Sequence, residues 1–69
     1  MLVKRPRPLV TIITPTYNAY DTLHETIRSV QNQTFSDWEH ILVDDASSDA
    51  TLEVLEEFSN ADPRIKYVA

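Results

Sequence analysis

Residues 40–55 read HILVDDASSDATLEVL, and how this stretch turns decides the fold. Ile41, Leu42 and Val43 form a short apolar run of the kind that a buried strand requires. The run drives into two carboxylates, Asp44 and Asp45, and then into small hydroxyl residues. Beyond them the period changes: Leu52, Leu55 and Phe58 form one helical stripe, widened by Val54, with Ser48 or Asp49 as the expected N-cap. A strand of roughly residues 39–43 thus feeds a helix through an acidic turn.

The same alternation extends in both directions. Upstream, LVTIIT at residues 9–14 reads as a strand buried on both faces, as in parallel sheets, and Pro15 is expected to end it because proline offers no ladder donor. Tyr20, Leu23, Ile27 and Val30 fall at spacings of three and four, predicting a helix that runs to Gln31 or Gln33 with Asn18 or Asp21 as N-cap. Downstream, a proline-containing turn leads to a third short strand at residues 65–68. Strand, helix, strand, helix, strand calls for parallel strands joined by right-handed crossovers, the α/β class. Three strands make half of a doubly wound domain, so residues 9–69 are expected to be the N-terminal part of a longer enzyme. Residues 1–8, MLVKRPRP, suit an extended basic leader.

Composition removes several functions. With Gly 0, the glycine-rich phosphate loops of dinucleotide-binding and P-loop proteins are excluded, since their turns need a close backbone approach. A net charge of -5 is a poor footprint for nucleic acid, and none is expected as a partner. Cys 0 rules out disulfides, thiolate zinc sites and cysteine nucleophiles. No apolar run reaches the ~20 residues of a spanning helix and no secretory signal opens the chain, so a cytoplasmic protein is expected.

In open parallel sheets, ligands bind beyond the carboxyl ends of the strands. Two segments reach that edge, TPTYN at residues 14–18 and DDASSD at residues 44–49. Alternation sends Asp44 and Asp45 to opposite faces, which argues against joint chelation of one metal. One carboxylate can accept from a ligand while its neighbour accepts backbone N–H groups of the serine turn or caps the next helix; the plainer reading is that both only shape a solvated turn. Tyr17, at the end of the adjacent strand, either rims the core or offers a flat face for a base to stack on. A ring beside an acidic acceptor is a workable nucleobase site, with the carboxylate taking the imino proton.

PTYN, SVQNQTF, VDDASSDAT and DPRI, in this order and spacing, resemble the N-terminal half of the inverting family 2 glycosyltransferases with a GT-A fold, over residues 9–68. The resemblance implies a Rossmann-like, nucleotide-diphospho-sugar transferase domain with a mainly parallel sheet. It implies transfer from a nucleotide-sugar donor, a UDP-sugar above all, to an acceptor hydroxyl on a saccharide or lipid-linked acceptor. Carried over by motif position, Tyr17 flanks the base, Pro15 offers backbone contact and Asp45 hydrogen-bonds the base. The family often has glycine where this chain has Ala46 and Ala50, and alanine at position 46 is expected to hold an ordinary backbone angle. The resemblance further implies a divalent metal, magnesium or manganese, on a D-x-D motif, and a later carboxylate as general base. Neither has a counterpart here, so no catalytic and no metal-binding residue is assigned within this chain. Membrane association would come from sequence outside this stretch, at the cytoplasmic face.

Other residues have plainer readings. Glu53, Glu56, Glu57 and Asp62 read as a solvated helix face. His24 and His40 follow no metal-ligand spacing and read as surface or packed histidines. Phe35 and Trp38 read as core or edge anchors. Residues 32–34, NQT, fit a glycosylation acceptor pattern without the secretory signal that would make it relevant. Ser47 and Ser48 lack a partnered base for nucleophilic chemistry. A receiver-type signalling domain, the main alternative, carries its acidic pair after the first strand rather than the second. A dinucleotide-binding oxidoreductase would account for an acid after the second strand but needs glycines this chain does not have, and a non-catalytic α/β fragment is the plainest alternative.

Overall fold

The computed structural model describes residues 10–69. The expected leader, and Leu9 of the expected first strand, lie outside the described residues. The elements follow in the order β1 (Val10–Thr16), α1 (Tyr20–Gln31), β2 (Trp38–Asp44), α2 (Thr51–Ala61) and β3 (Ile65–Val68). The three strands form one parallel sheet in the order β1-β2-β3. This is the α/β architecture expected from the change of hydrophobic period.

Burial alternates along β2: Trp38, His40, Leu42 and Asp44 are buried, whereas Val43 is 41% exposed. Both helices therefore cover the same face of the sheet. The core is Leu23 and Ile27 from α1, Trp38 and Leu42 from β2, Val54 and Leu55 from α2, and Ile65 from β3. The other face carries Ile13, Pro15, Val43 and Val68, all exposed, and a polar end where Lys66 pairs with Glu39 at 2.8 Å and Thr11 donates to Glu39 at 2.9 Å. Those contacts, Lys66 foremost, hold the Glu39 carboxyl below its ordinary pKa.

Several boundaries differ from the sequence reading. Pro15 does not end the first strand, which continues to Thr16. The Val10 N–H donates to the Asp37 carbonyl and the Thr16 carbonyl accepts from the Asp45 N–H, so the even-numbered residues face β2. Pro15 is odd-numbered, and its missing donor falls on the outer edge, where no ladder bond of the described sheet is lost. Nor is β1 buried on both faces: Ile13 is 67% exposed, because the helices lie on the opposite side. β2 is longer than expected by one residue at each end and takes in Asp44.

Both helix starts also differ. Ala19 and Ala50 occupy the N-cap positions, without side-chain capping bonds of their own, in place of Asn18 or Asp21 and of Ser48 or Asp49. Asp49 still acts one residue before the cap, accepting the Thr51 N–H at 3.0 Å. The buried line of α2 is Thr51, Val54 and Leu55, with Leu52 and Phe58 half-buried beside it. Asp62 is not part of a solvated face. Arg64 donates to it from the side chain at 3.1 and 3.0 Å and from its backbone N–H at 3.0 Å, while Gln31 adds a bond at 3.1 Å. These bonds, the Arg64 side chain foremost, outweigh burial and hold the Asp62 carboxyl at about 2. The Arg64 guanidinium also lies 4.0 Å over the Trp38 ring, locking the DPR turn onto the start of β2.

Candidate functional site

The carboxyl ends of β1 and β2 stand side by side, since Thr16 pairs in register with Asp44. One bond continues the ladder past β2, from the Asp45 N–H to the Thr16 carbonyl at 2.9 Å. Tyr17 and Asp45 are thus the first residues beyond two paired strands, which fixes their backbones relative to each other.

The two adjacent aspartates have different surroundings. Asp44 is 5% exposed and accepts three hydrogen bonds, from the Thr16 hydroxyl at 2.8 Å, the Ser47 hydroxyl at 2.5 Å and the Ser47 N–H at 2.9 Å. Burial pushes its pKa up, but the Ser47 and Thr16 donors outweigh it and the carboxyl sits below its ordinary value. Asp45 is exposed, and its carboxylate takes no hydrogen bond from the described residues. Alternation along the strand separates the two jobs: one carboxylate closes the turn, and the other projects from the edge.

Tyr17 is 64% exposed beside it, with its ring free of aromatic contacts among the described residues. Pro15 is exposed on the open face, and by the even-odd alternation of β1 its carbonyl points to the outer edge of the strand. The structure therefore brings Tyr17 and Asp45 to one edge, with Pro15 two residues behind.

The loops that carry them are tied together. The Asn18 N–H donates to the Ser47 hydroxyl at 2.8 Å, and the Asn18 amide oxygen accepts from the Ser48 N–H at 2.7 Å. The Ala19 N–H donates to Thr51 Oγ1 at 3.0 Å and the Tyr20 N–H to Asp49 at 3.3 Å. Thr51 in turn donates to Asp49, and this bond more than any other lowers the Asp49 pKa. The start of α1 is thus capped by residues of the β2–α2 loop and by the first residue of α2, a role that no local pattern announced for Ser47 or Thr51. A signal did exist for Asn18, because asparagine tolerates left-handed backbone angles and its φ is 46°. Ala46 also holds a left-handed φ, 56°, where an ordinary angle was expected. The Asp44–Ser47 and Asp45–Thr16 bonds bracket that residue and force the turn.

The remaining candidates lie elsewhere. His40 is fully buried in β2, sharing a 2.8 Å hydrogen bond with Thr14 Oγ1. His24 packs edge-on against Tyr20 and Phe58 in the groove between the helices. Trp38 is a core residue, whereas Phe35 is 40% exposed. Among the described residues, no three His, Asp or Glu side chains converge on a metal-sized position. Asp44 is committed to its turn and Asp45 projects alone, so these residues do not fit the implied divalent ion. Nor is any helix among the described residues long and apolar enough to cross a membrane.

Known proteins share this framework. TuaG of Bacillus subtilis (strain 168), named as a candidate teichuronic acid biosynthesis glycosyltransferase, is 45% identical over 62 residues, covering 90% of this chain and 25% of its own length. WfgD of Escherichia coli, a UDP-Glc:alpha-D-GlcNAc-diphosphoundecaprenol beta-1,3-glucosyltransferase, is 50% identical over 58 residues, 84% of this chain and 22% of WfgD. The GalNAc(5)-diNAcBac-PP-undecaprenol beta-1,3-glucosyltransferase of Campylobacter jejuni is 45% identical over 60 residues, 87% of this chain and 19% of that enzyme. The chain spans about a fifth to a quarter of the length of these relatives. The family model for glycosyl transferase family 2 matches residues 11–69, which takes in every element but the first residue of β1, and the chain belongs to that family.

Proposed function

We propose that this chain is the donor-base-binding segment of a glycosyltransferase that moves a sugar from a nucleotide-diphosphate sugar, a UDP-sugar, to an acceptor hydroxyl with inversion. Tyr17 stacks on the base, Asp45 accepts its imino N–H, and Pro15 lends a backbone carbonyl. The observation that carries this reading is the division between the two aspartates: Asp44 is buried and accepts three hydrogen bonds from the protein, while Asp45, one residue on, is left open beside an exposed ring. UDP is favoured by the UDP-Glc donor that WfgD is named for, and inversion by the beta linkage in the names of two relatives. Those same two names contain undecaprenol-linked sugars, which supports a lipid-linked or saccharide acceptor and a place at the cytoplasmic face of the membrane.

In this mechanism the acceptor oxygen attacks the anomeric carbon as its proton passes to a base, and the nucleoside diphosphate departs from the opposite side. The base, and the ligands of the divalent magnesium or manganese ion that the resemblance implies, belong to sequence outside this chain. What these residues contribute is orientation: holding the base fixes one end of the donor.

Isothermal titration of the intact protein with UDP and GDP tests the assignment. Asp45→Ala removes a charge-assisted hydrogen bond worth ~1.5–3 kcal/mol, so affinity should drop by about tenfold or more. Tyr17→Ala removes a stacking surface worth ~1–3 kcal/mol and should act similarly. Glu57→Ala, exposed on α2, should leave binding unchanged. Equal affinity of Asp45→Ala and Glu57→Ala would remove the base-reading role from Asp45.

A further inference from the structure

The side chains of Tyr17 and Asp45 are framed by a closed circuit of bonds in which neither takes part. The Thr16 hydroxyl donates to Asp44 Oδ1, which also accepts from Ser47 Oγ; Ser47 Oγ in turn accepts from the Asn18 N–H, one residue beyond Tyr17. A second strut runs from the Ser48 N–H to Asn18 Oδ1. Thr16 and Asn18 flank Tyr17, and Asp44 and Ser47 bracket Asp45 in the second loop. The Asp45–Thr16 ladder bond fixes the two strand ends, and this circuit adds the constraint on the loops that leave them.

We infer that Asn18 and Ser47 are positioning residues for the nucleobase, holding the stacking ring and the base-reading carboxylate at the spacing of one planar ligand; this rests on the nucleotide reading above. Neither residue needs to touch the base. Asn18 holds a left-handed backbone angle that lets its N–H and its side-chain oxygen both address the second loop. Ser47 is half-buried and uses one hydroxyl twice, accepting from Asn18 and donating to the buried Asp44. Groups held within a narrow tolerance by such a supporting network bind better than the same groups on loose loops.

The test is titration of the intact protein with UDP at a temperature where circular dichroism shows every variant folded. Asn18→Gly keeps the backbone angle but removes the amide oxygen, Ser47→Ala removes the hydroxyl, and Ser47→Thr restores it. The first two should bind UDP about tenfold more weakly and Ser47→Thr within about threefold of the parent, since a rigid pair loses affinity when its spacing is released. A merely structural hydroxyl would change the unfolding temperature and leave this affinity alone. If Asn18→Gly and Ser47→Ala match the parent while Tyr17→Ala and Asp45→Ala fall, the positioning role is overturned and the base site stands. If Ser47→Thr binds as weakly as Ser47→Ala, the hydroxyl is not the positioning group. Should Tyr17→Ala and Asp45→Ala themselves bind like the parent, the nucleotide reading falls and the positioning role falls with it.

Discussion

Ala46 holds a φ of 56°, a left-handed angle that costs an L-residue about 1–2 kcal/mol. It is tolerated because its neighbours leave no alternative: Asp45 is tied back to Thr16, and Ser47 is tied to Asp44 by both its N–H and its hydroxyl. Glycine would relieve the angle, at the cost of roughly 0.5–1 kcal/mol through greater freedom of the unfolded chain. Ala46→Gly should therefore be more stable by ~0.5 kcal/mol, and Ala46→Val less stable by at least ~1 kcal/mol, because a branched Cβ crowds this region further. Ala46 is exposed, so lost burial does not confuse the comparison. Urea midpoints at constant slope give the order, and a valine variant as stable as the glycine variant would show that the angle is not strained. Local propensity did not announce the angle for an alanine, because one of the bonds that impose it reaches from Asp45 back to Thr16 at the end of β1.

Helix α1 is capped by a different element, and Thr51 carries most of the burden. Its hydroxyl is fully buried, accepts the Ala19 N–H and donates to Asp49. Thr51→Val keeps the volume and removes both bonds, stranding a donor at the start of α1, for a loss of ~1–3 kcal/mol. Thr51→Ser should recover most of it, and a valine variant with the parent's urea midpoint would contradict the cap. The same contrast explains what could be read in advance. Local period places the two helices and the strand at residues 65–68, since Leu23, Ile27, Val54 and Leu55 bury the faces that their spacing implies. Alternation in VDDA separates Asp44 from Asp45. Partners distant in sequence leave no such trace: neither the reach of Thr51 to Ala19 nor the burial of Asp62 under Arg64 and Gln31 follows from spacing. Pro15 misleads in the same way, because whether proline breaks a strand depends on which edge its nitrogen faces.

Taken as a whole, the molecule is a one-sided sheet whose helix-covered face contains ionisable groups, and this governs its response to acid. His40 is fully buried at the centre of the sheet; its Nε2 is bonded to Thr14, and its Nδ1 has no partner among the described residues. The charged ring carries a proton on both nitrogens, and the one on Nδ1 has no acceptor among the described residues; burial holds the pKa below its ordinary 6.5. With the folded pKa depressed, the unfolded chain takes up the proton first as the pH falls. His40 therefore costs nothing above pH 6.5, and stability declines below it with a slope of at most ~1.4 kcal/mol per pH unit, the limit for one proton. Asp62 acts lower down: its carboxyl is held at about 2 against an ordinary 3.8, so its contribution is complete above 3.8 and is lost as pH falls toward 2. Asp44, depressed in the same direction, adds to that second decline. Two acid-side steps are expected in urea midpoints measured across pH. His40→Leu should abolish the decline that begins below pH 6.5 and should keep the lower one. Parallel profiles for the parent and His40→Leu would mean that the buried imidazole is not the group being titrated, and that the upper step originates elsewhere in the protein.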